Sequence, residues 1–303
     1  MKIIKKREKS KLLIGLNYLD KRTKLDNTDK RYLINLEKGY EGEERFDTLV
    51  KTYLTGEALV INDLLIENKG NVFQIDALIV TTDTLYLYEI KNYKGDFQMN
   101  SGQLSYTSGQ EIRNPLTQLK RTKELLRQLV KEWGLSYRIE ANVLFINETF
   151  TLYNANVEDS IIFSTQIKDA LIKLNTKCKR LTKQCNYLAD KLIDMHKEES
   201  LFQKQLPLYN KKELKTGVVC SCGSFNLIIT QRSCYCKVCY KQLSIEELLI
   251  GSIEEFKYLF PEQKVTTSTI NEWCGNRVNH RKIRHILQTH LMAYGKNSGT
   301  YYE

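Results

Sequence analysis

The chain has 303 residues, of which 42% are hydrophobic, and a formal net charge of +10. This length is enough for two domains. No stretch approaches the roughly 18 to 20 apolar residues of a membrane-spanning helix, and the basic N-terminus lacks the marks of a signal peptide. We therefore expect a cytosolic protein without membrane contact, whose eight cysteines serve packing or metal binding rather than disulfides.

The positive charge is distributed unevenly along the chain. Residues 1–38 carry a net +7 and residues 168–215 a net +6, whereas residues 39–167 carry −6. An acidic segment between basic ones is typical of a cation-binding centre whose neighbours neutralise phosphates. Solvated lysine-rich helices give the same pattern, so charge alone leaves contact with nucleic acid open.

The apolar spacing in the first half of the chain predicts a mixed α/β fold. Residues 1–38 predict one or two basic amphipathic helices, and a further helix follows Gly42, where Phe46, Val50 and Tyr53 recur at helical spacing. Asn114 and Pro115 are typical of a helix start. Strands are predicted at residues 58–66, 72–80, 85–91, 141–147 and 160–163. This order predicts a mixed sheet flanked by helices.

A heptad pattern follows the predicted sheet and predicts one long connecting helix over residues 168–215. Its apolar positions alternate in steps of three and four: Leu171, Leu174, Cys178, Leu181, Cys185, Leu188, Leu192 and Met195. Packing within the chain is the favoured interpretation. A homodimer through the seam at residues 171–195 stays open, and so does a scaffold function built on it.

Three charged residues interrupt the apolar strands of the predicted sheet. Asp76 lies within one strand, and Glu89 and Lys91 lie two apart at the end of the next, where they project from one face. Buried charges are costly unless they bind a metal or each other. A magnesium site for phosphodiester chemistry is one interpretation. A surface salt bridge between Glu89 and Lys91 is the other.

Four motifs in this region resemble the nuclease-related domain (NERD) of the PD-(D/E)XK nuclease superfamily. In chain order they are GYEGEERF, QIDALIV, YLYEIKNYKG and NPLTQLKR, which together cover about residues 39–150. The basic leading helices also look like those that precede this domain in bacterial relatives. The resemblance implies a restriction-endonuclease-like core, a mixed sheet flanked by helices, and nuclease chemistry on nucleic acid.

The resemblance also implies roles for individual residues. Asp76 and Glu89 match the acids that bind Mg²⁺ (or Mn²⁺), and Lys91 matches the lysine that positions the attacking water. The remaining matches are an acid of the preceding helix, Glu43 with Glu44 as the alternative, and a glutamine of the following helix that helps to hold the site, Gln118.

A second cluster of metal-ligating side chains lies in residues 216–260. Zinc binds four thiolates in a tetrahedron, usually from two short knuckles. We assign Cys220 and Cys222 to one knuckle and Cys236 and Cys239 to the other, with Cys234 as a possible replacement for Cys236. The arrangement resembles a zinc ribbon that holds a structural Zn²⁺.

The last segment, residues 261–303, predicts two short helices, of which the second is basic. Such a pair resembles a helix-turn-helix or winged-helix module. A helical cap with a solvated basic face explains the pattern equally well.

The sequence thus predicts a cytosolic bacterial Mg²⁺-dependent nuclease that hydrolyses phosphodiester bonds, in DNA by preference, for processing, repair or defence. The alternative is a non-catalytic nucleic-acid-binding adaptor that uses the zinc ribbon and the basic tail. The predicted segments are basic helices, nuclease-related domain, connecting helix, zinc ribbon and helical tail, at residues 1–38, 39–167, 168–215, 216–260 and 261–303.

Overall fold

The structure is a computed structural model that describes residues 1–198, 204–230 and 232–303, apart from the side chain of residue 298. The chain divides into two compact units. The first unit comprises Met1–Ser10 and Ile34–Gln203, and the second comprises Lys11–Leu33 and Lys204–Glu303. The five predicted segments stay a prediction, since the two units combine parts that are distant in sequence.

The described residues form helices and strands throughout both units. The α-helices are α1 Lys11–Arg22, α2 Asn27–Tyr53, α3 Pro115–Glu132, α4 Ser164–Asn175, α5 Lys183–Asp194, α6 Ile245–Leu259, α7 Thr267–Trp273 and α8 His280–His290. The strands of the first unit are β1 Lys2–Lys5, β2 Leu59–Asn68, β3 Asn71–Val80, β4 Thr84–Lys91, β5 Gly95–Asn100, β6 Gln103–Tyr106, β7 Glu111–Ile112, β8 Arg138–Phe145, β9 Phe150–Tyr153 and β10 Ile161–Phe163. Those of the second unit are β11 Leu227–Ile229, β12 Ser233–Cys236, β13 Gln242–Ser244, β14 Ala293–Tyr294 and β15 Tyr301–Tyr302.

The first unit is built on a six-stranded mixed sheet with the order β1-β2-β3-β4-β8-β10. Its centre, β2 to β4, is an antiparallel meander, while β1, β8 and β10 each pair in parallel with their neighbour. A smaller four-stranded sheet, β7-β6-β5-β9, follows in the same unit. The central strands are apolar on both sides because both faces of the large sheet are covered.

Helices cover the two faces of the large sheet. On one face α3 and α5 pack through Leu126 and Leu188 into a core that includes Leu78. On the other face α2 and α4 pack through Phe46 and Leu171. This architecture confirms the predicted mixed α/β fold, a sheet flanked by helices, and positions the ends of β3 and β4 beside α2.

Two helical predictions in the first unit are corrected by the structure. Residues 2–5, predicted as helix, form strand β1 because they add in parallel to β2, and a short segment takes the conformation of its partner. The helix predicted from Gly42 begins at Asn27 and passes through Gly39 without a break.

The predicted single helix over residues 168–215 is wrong. The segment forms α4 and α5, separated by residues 176–182, and their apolar residues enter the cores on opposite faces of the sheet. One straight helix has one apolar stripe and cannot reach both faces. Residues 199–203 of this prediction lie outside the described residues. The seam is therefore used inside the chain, and a homodimer through it is not shown.

The second unit combines helices with a small antiparallel sheet, β11-β12-β13. Its core contains Trp273 and Phe256 at 0% exposure, with ring centroids 6.0 Å apart. The buried Arg22 of α1 pairs with the buried Glu255 of α6, and its guanidinium lies 4.2 Å from the centroid of the Trp273 ring. The basic helix α1 is thus a core element rather than a loose arm.

Among the residues that the structure describes, no helix is both long enough and apolar enough to cross a membrane.

Candidate functional site

The paired strands β3 and β4 bring the first two predicted site residues together. The last pairs of their antiparallel ladder include Ala77 opposite Tyr88, so Asp76 and Glu89 occupy the next facing positions. Directly opposed residues of an antiparallel pair have neighbouring side chains. Asp76 Oδ2 accepts a hydrogen bond from the backbone N–H of Ile90 at 2.7 Å, which joins the strands at this point. Both carboxylates are buried, with 7% exposure at Asp76 and 2% at Glu89.

Lys91 lies two residues after Glu89 and contacts it directly. The Lys91 Nζ and Glu89 Oε1 atoms are 2.6 Å apart. The contact lacks the angles of a hydrogen bond, and Glu89 Oε1 has no hydrogen-bond partner among the described residues. The charge of the Glu89 carboxylate is therefore compensated by the Lys91 ammonium.

The protonation equilibria of these groups are strongly shifted. Burial and, next to it, the charge of the neighbouring Asp76 raise the pKa of Glu89 to about 7 against the opposing effect of Lys91. Burial also raises the pKa of Asp76. For Lys91 burial lowers the pKa, but the charges of Glu89 and Asp76 outweigh it and leave the pKa raised. Such a group of perturbed carboxyls beside a lysine is typical of functional sites.

Helix α2 supplies Glu43 to the same group of charges. Burial raises the pKa of Glu43 to about 8, and Asp76 is the next cause, so the two carboxyls interact. Glu44 is exposed on the neighbouring position of the helix and is hydrogen-bonded to Tyr40. The structure thus places Glu43, rather than Glu44, beside Asp76.

Gly42 of the first motif permits this approach of α2. A Cβ atom at this position would lie 2.6 Å from Asn92 Cβ and 3.1 Å from Ile146 Cγ2, closer than packed atoms come. Asn92 follows Lys91 directly, and its Nδ2 donates to the Lys38 carbonyl at 2.7 Å. The glycine therefore allows the helix that carries Glu43 to contact the end of β4.

Arg7 is a site residue that the sequence did not reveal. Its guanidinium donates to Glu43 Oε2 at 2.7 Å, to both carboxylate oxygens of Asp47 at 3.2 Å and to the Asp76 carbonyl at 2.8 Å. The side chain is 2% exposed. Sequence periodicity carries no signal for it, because Arg7 reaches the site only through the pairing of β1 with β2. Arg7 fixes Glu43 relative to the backbone of Asp76.

A basic cavity of about 390 Å³ lies next to Arg7 in the first unit. Its lining carries more cationic than anionic side chains and one aromatic ring. The lining residues include Lys6, Arg7, Tyr40, Arg45 and Lys51. A cavity of this charge beside buried acids is able to accept an anionic group such as a phosphate.

Gln118 is not joined to the other predicted residues by any hydrogen bond within the described chain. It lies half-buried in the first turn of α3, after the capping residue Asn114. The exposed Arg113, just before this helix, instead lowers the pKa of Glu89 through its charge, although burial prevails. The structure therefore brings together Glu43, Asp76, Glu89 and Lys91 through their charges, and Gln118 does not take part in these interactions within the described chain.

The carboxylates of Glu43, Asp76 and Glu89 can bind a hard divalent cation only if water or substrate supplies the remaining ligands. Within the described residues, none of these carboxylates belongs to a set of three ligand atoms all within 4.8 Å of one another. Mg²⁺ needs only one or two carboxylates, since it retains waters and binds substrate phosphates. The carboxylates of Asp76 and Glu89, at facing positions of β3 and β4, fit such a site. Asp76 and Glu89 are the residues able to hold the ion.

The four predicted cysteines of the second unit form a separate group. Ligand atoms of Cys220, Cys222, Cys236 and Cys239 all lie within 4.8 Å, with Sγ–Sγ distances of 3.6 Å between Cys220 and Cys239 and 3.7 Å between Cys222 and Cys236. Zinc–sulfur bonds of about 2.3 Å in a tetrahedron require sulfur separations of about 3.8 Å. The cluster can therefore bind zinc in a closed, structural geometry.

The sheet β11-β12-β13 presents these cysteines as a ribbon. Cys236 ends β12, and the backbone N–H groups of Cys239 and Val238 lower the pKa of its thiol to about 6. This effect favours the thiolate at Cys236, whereas at Cys239 the backbone N–H of Lys241 is outweighed by burial and the neighbouring thiols, which raise the pKa of Cys239 to about 12. Cys234 is buried in the same strand but outside the four-sulfur group.

Comparison with known families identifies one region of the chain. The family model of the nuclease-related domain (NERD) matches residues 38–146, about a third of the chain. The match contains Glu43, Asp76, Glu89, Lys91 and Gln118 and confirms the resemblance drawn from the four motifs. No curated protein and no solved structure matches the chain.

Proposed function

Because this chain carries a nuclease-related domain at residues 38–146, we propose that it is a metal-dependent nuclease that hydrolyses phosphodiester bonds in DNA. The observation that carries the proposal is the facing pair Asp76, within the buried strand β3, and Glu89, near the end of the buried strand β4, with Lys91 2.6 Å from Glu89. A protein that only binds nucleic acid has no use for buried acids with raised pKa values, since they destabilise its fold.

Asp76 and Glu89 would hold the cation, Mg²⁺ or Mn²⁺. When bound, such an ion polarises the scissile phosphate and lowers the pKa of water. Arg7 and the backbone N–H of Ile90 orient Glu43 and Asp76, respectively, before substrate arrives. This fixed arrangement avoids reorganisation during the reaction, which is how preorganised sites lower barriers.

Lys91 acts at the reacting phosphate in this proposal. Its ammonium stays protonated because the charges of Glu89 and Asp76 raise its pKa. A protonated lysine beside the phosphate donates hydrogen bonds to the attacking water and to the developing negative charge. Glu43, whose pKa is raised to about 8, is largely protonated at neutral pH and can donate a proton there. Gln118, on α3, would help to hold the site and orient its groups.

The cavity beside Arg7 supports a nucleic-acid substrate. Lys6, Arg45 and Lys51 line it and supply positive charge for a phosphate group. The basic segments at residues 1–38 and 168–215 add charge that attracts a polyanion. DNA processing, repair or defence in a reducing cytosol is the setting that we propose, since four zinc-binding thiols persist there.

A cleavage assay tests the proposal. Purified protein with Mg²⁺ or Mn²⁺ is incubated with linear duplex, nicked, branched and single-stranded DNA and with RNA. We expect cleavage of at least one DNA form, and a loss of at least about a thousandfold in Asp76→Ala and Lys91→Ala. Glu67→Ala and Lys131→Ala are matched controls, because both side chains are exposed in the same unit.

The adaptor function is the second candidate, because Arg7 already neutralises Glu43 and no three carboxylates converge within the described residues. The same assay separates the two. If wild type and all four variants bind DNA equally and none cleaves any substrate with either metal, the enzyme proposal fails and the adaptor stands.

A further inference from the structure

The last part of the second unit has the topology of a helix-turn-helix followed by a β-hairpin. Helices α6, α7 and α8 follow one another, and β14 then pairs antiparallel with β15. Val265, which precedes α7, forms an antiparallel bridge to Tyr302 of β15. The small sheet therefore ties both ends of the helix pair together.

The turn between α7 and α8 packs closely against the backbone at Gly217. Gly275 has a φ of +68°, and a Cβ atom there would lie 3.0 Å from the Gly217 Cα atom. Glycine is required on both counts, the left-handed conformation and the close approach. Gly217 N–H also donates to the Trp273 carbonyl at 2.8 Å. Helix α8 therefore leaves the turn in a fixed direction.

Helix α8 has one buried face and one polar face. Ile283, Ile286 and Leu287 are buried in the unit. Four exposed residues follow the spacing i, i+3, i+4 and i+7, which places them on one side of the helix. They are Arg281, Arg284, His285 and Gln288. The start of the helix is capped by Asn279, whose Oδ1 accepts from the Arg281 N–H at 2.8 Å.

The polar face of α8 is cationic and uncompensated. Residues 275–300 contain five lysines and arginines and no acidic residue. Arg277 is used internally, since it donates to the Phe225 and Leu227 carbonyls. Within the described chain, Arg281, Arg284 and Lys296 form no ion pair. Lys296 lies exposed in the connection between β14 and β15, so the helix and the hairpin present charge of the same sign.

We propose that the polar face of α8 and the β14–β15 hairpin form a binding surface for duplex DNA. The B-form major groove is about 12 Å wide and admits one α-helix, whose first residues reach the base edges. Arg281 and Arg284 then contact guanine edges or phosphates, and Lys296 contacts a phosphate. The deep, narrow major groove of A-form RNA does not admit the helix, so duplex RNA is the weaker ligand.

A binding measurement on the full chain without added magnesium tests this proposal. Fluorescence anisotropy with a labelled duplex DNA is compared with duplex RNA and single-stranded DNA of the same length. We expect duplex DNA to bind tightest. Arg281→Ala/Arg284→Ala should bind it at least about tenfold more weakly, with a shallower dependence of log K on log salt, by about one unit per lost phosphate contact.

Two further variants control the result. Lys212→Ala/Lys257→Ala removes the same charge from exposed positions elsewhere in the unit and should change affinity less than about threefold. Gln288→Glu places a carboxylate on the α8 face without removing a cation, and should also weaken binding by repulsion. Thermal unfolding of every variant should match wild type, because the altered side chains are exposed.

The proposal is overturned if the α8 variants bind duplex DNA as wild type does, if the control pair loses as much affinity, or if duplex RNA binds as tightly. These outcomes are independent of the nuclease proposal, since no cleavage is needed for the measurement. A protein that binds through α8 but never cleaves contradicts the nuclease proposal and supports this one.

Discussion

Arg7 Nη1 donates to Glu43 Oε2 across 2.7 Å and so joins the N-terminal strand segment to the helix acid beside Asp76. The same guanidinium bonds the Asp76 carbonyl at 2.8 Å. Because Arg7 is 2% exposed, these are buried, charge-assisted contacts. Arg7 is therefore part of the candidate active site, and the strand segment that carries it is not a detached basic arm.

Replacement of Arg7 should affect both stability and activity. Arg7→Ala leaves Glu43 and Asp47 without their partner and should lower the free energy of unfolding by about 3–5 kcal/mol. Arg7→Lys keeps the positive charge but loses the planar guanidinium that contacts three groups. It should therefore be more stable than Arg7→Ala but less stable than wild type. Chemical denaturation measures the loss, and Lys2→Ala, exposed in the same segment, should stay within about 0.5 kcal/mol of wild type. A wild-type stability in Arg7→Ala would contradict the structural role.

The stability of the metal-free protein should depend on pH through Glu89. Its folded pKa of about 7 lies above the unfolded value of about 4.3, so between these values the folded state binds more protons. The contribution of Glu89 to folding stability is therefore full below about pH 4 and is lost as pH rises toward about 7. Glu43, with a pKa of about 8, acts in the same direction. Thermal unfolding without metal should show a higher midpoint at pH 6 than at pH 8, and this difference should shrink in Glu89→Gln.

Magnesium should reverse this trend. The ion binds the ionised carboxylates, so it competes with protons and binds more tightly as pH rises. The rise in unfolding midpoint on adding Mg²⁺ should be larger at pH 8 than at pH 6, and should vanish in Asp76→Asn. An equal rise at both pH values, or a rise retained in Asp76→Asn, would place the ion elsewhere. Glu67→Gln, an exposed acid on β2, is the control and should behave as wild type.

The cysteine cluster should retain one zinc ion per chain. Elemental analysis of the purified protein should find about one equivalent, and Cys236→Ser and Cys239→Ser should lose it together with much of the stability of the second unit. Cys234→Ala is the matched variant, since Cys234 lies in the same strand outside the four-sulfur group, and it should keep the metal. If the wild-type protein is folded but contains no zinc, the assignment of these four cysteines as zinc ligands is wrong.

The buried pair of Arg22 and Glu255 should be essential to the second unit. Arg22 Nη1 also donates to the Lys215 carbonyl at 2.9 Å. Removing either side chain leaves the charge of the other buried and unpaired. Arg22→Ala and Glu255→Ala should therefore each lower the free energy of unfolding by about 3–5 kcal/mol. The double variant should cost less than the sum of both, because no lone charge remains. Additive losses in this cycle would mean that the two side chains do not interact.

Local patterns in the sequence were sufficient for much of this fold. The runs of β2, β3 and β4 show their strand character directly, and Asn114 with Pro115 marks the start of α3. The two-residue spacing of Glu89 and Lys91 predicts their contact, which the structure has at 2.6 Å. The spacing of the cysteines likewise predicts the four that converge. In each case the signal depends on residues near one another in sequence or on one short hairpin.

The tertiary structure decided the rest, because it depends on contacts between distant segments. Periodicity predicts an apolar stripe but not which face it covers, so the heptads of residues 171–195 gave one helix where α4 and α5 cover opposite faces of the sheet. Strand β1 depends on the free edge of β2, and Arg7 reaches Glu43 only through that pairing. The sequence alone is thus enough to identify a candidate site at Asp76, Glu89 and Lys91. Arg7, which fixes Glu43 beside them, becomes visible only when the sheet is assembled.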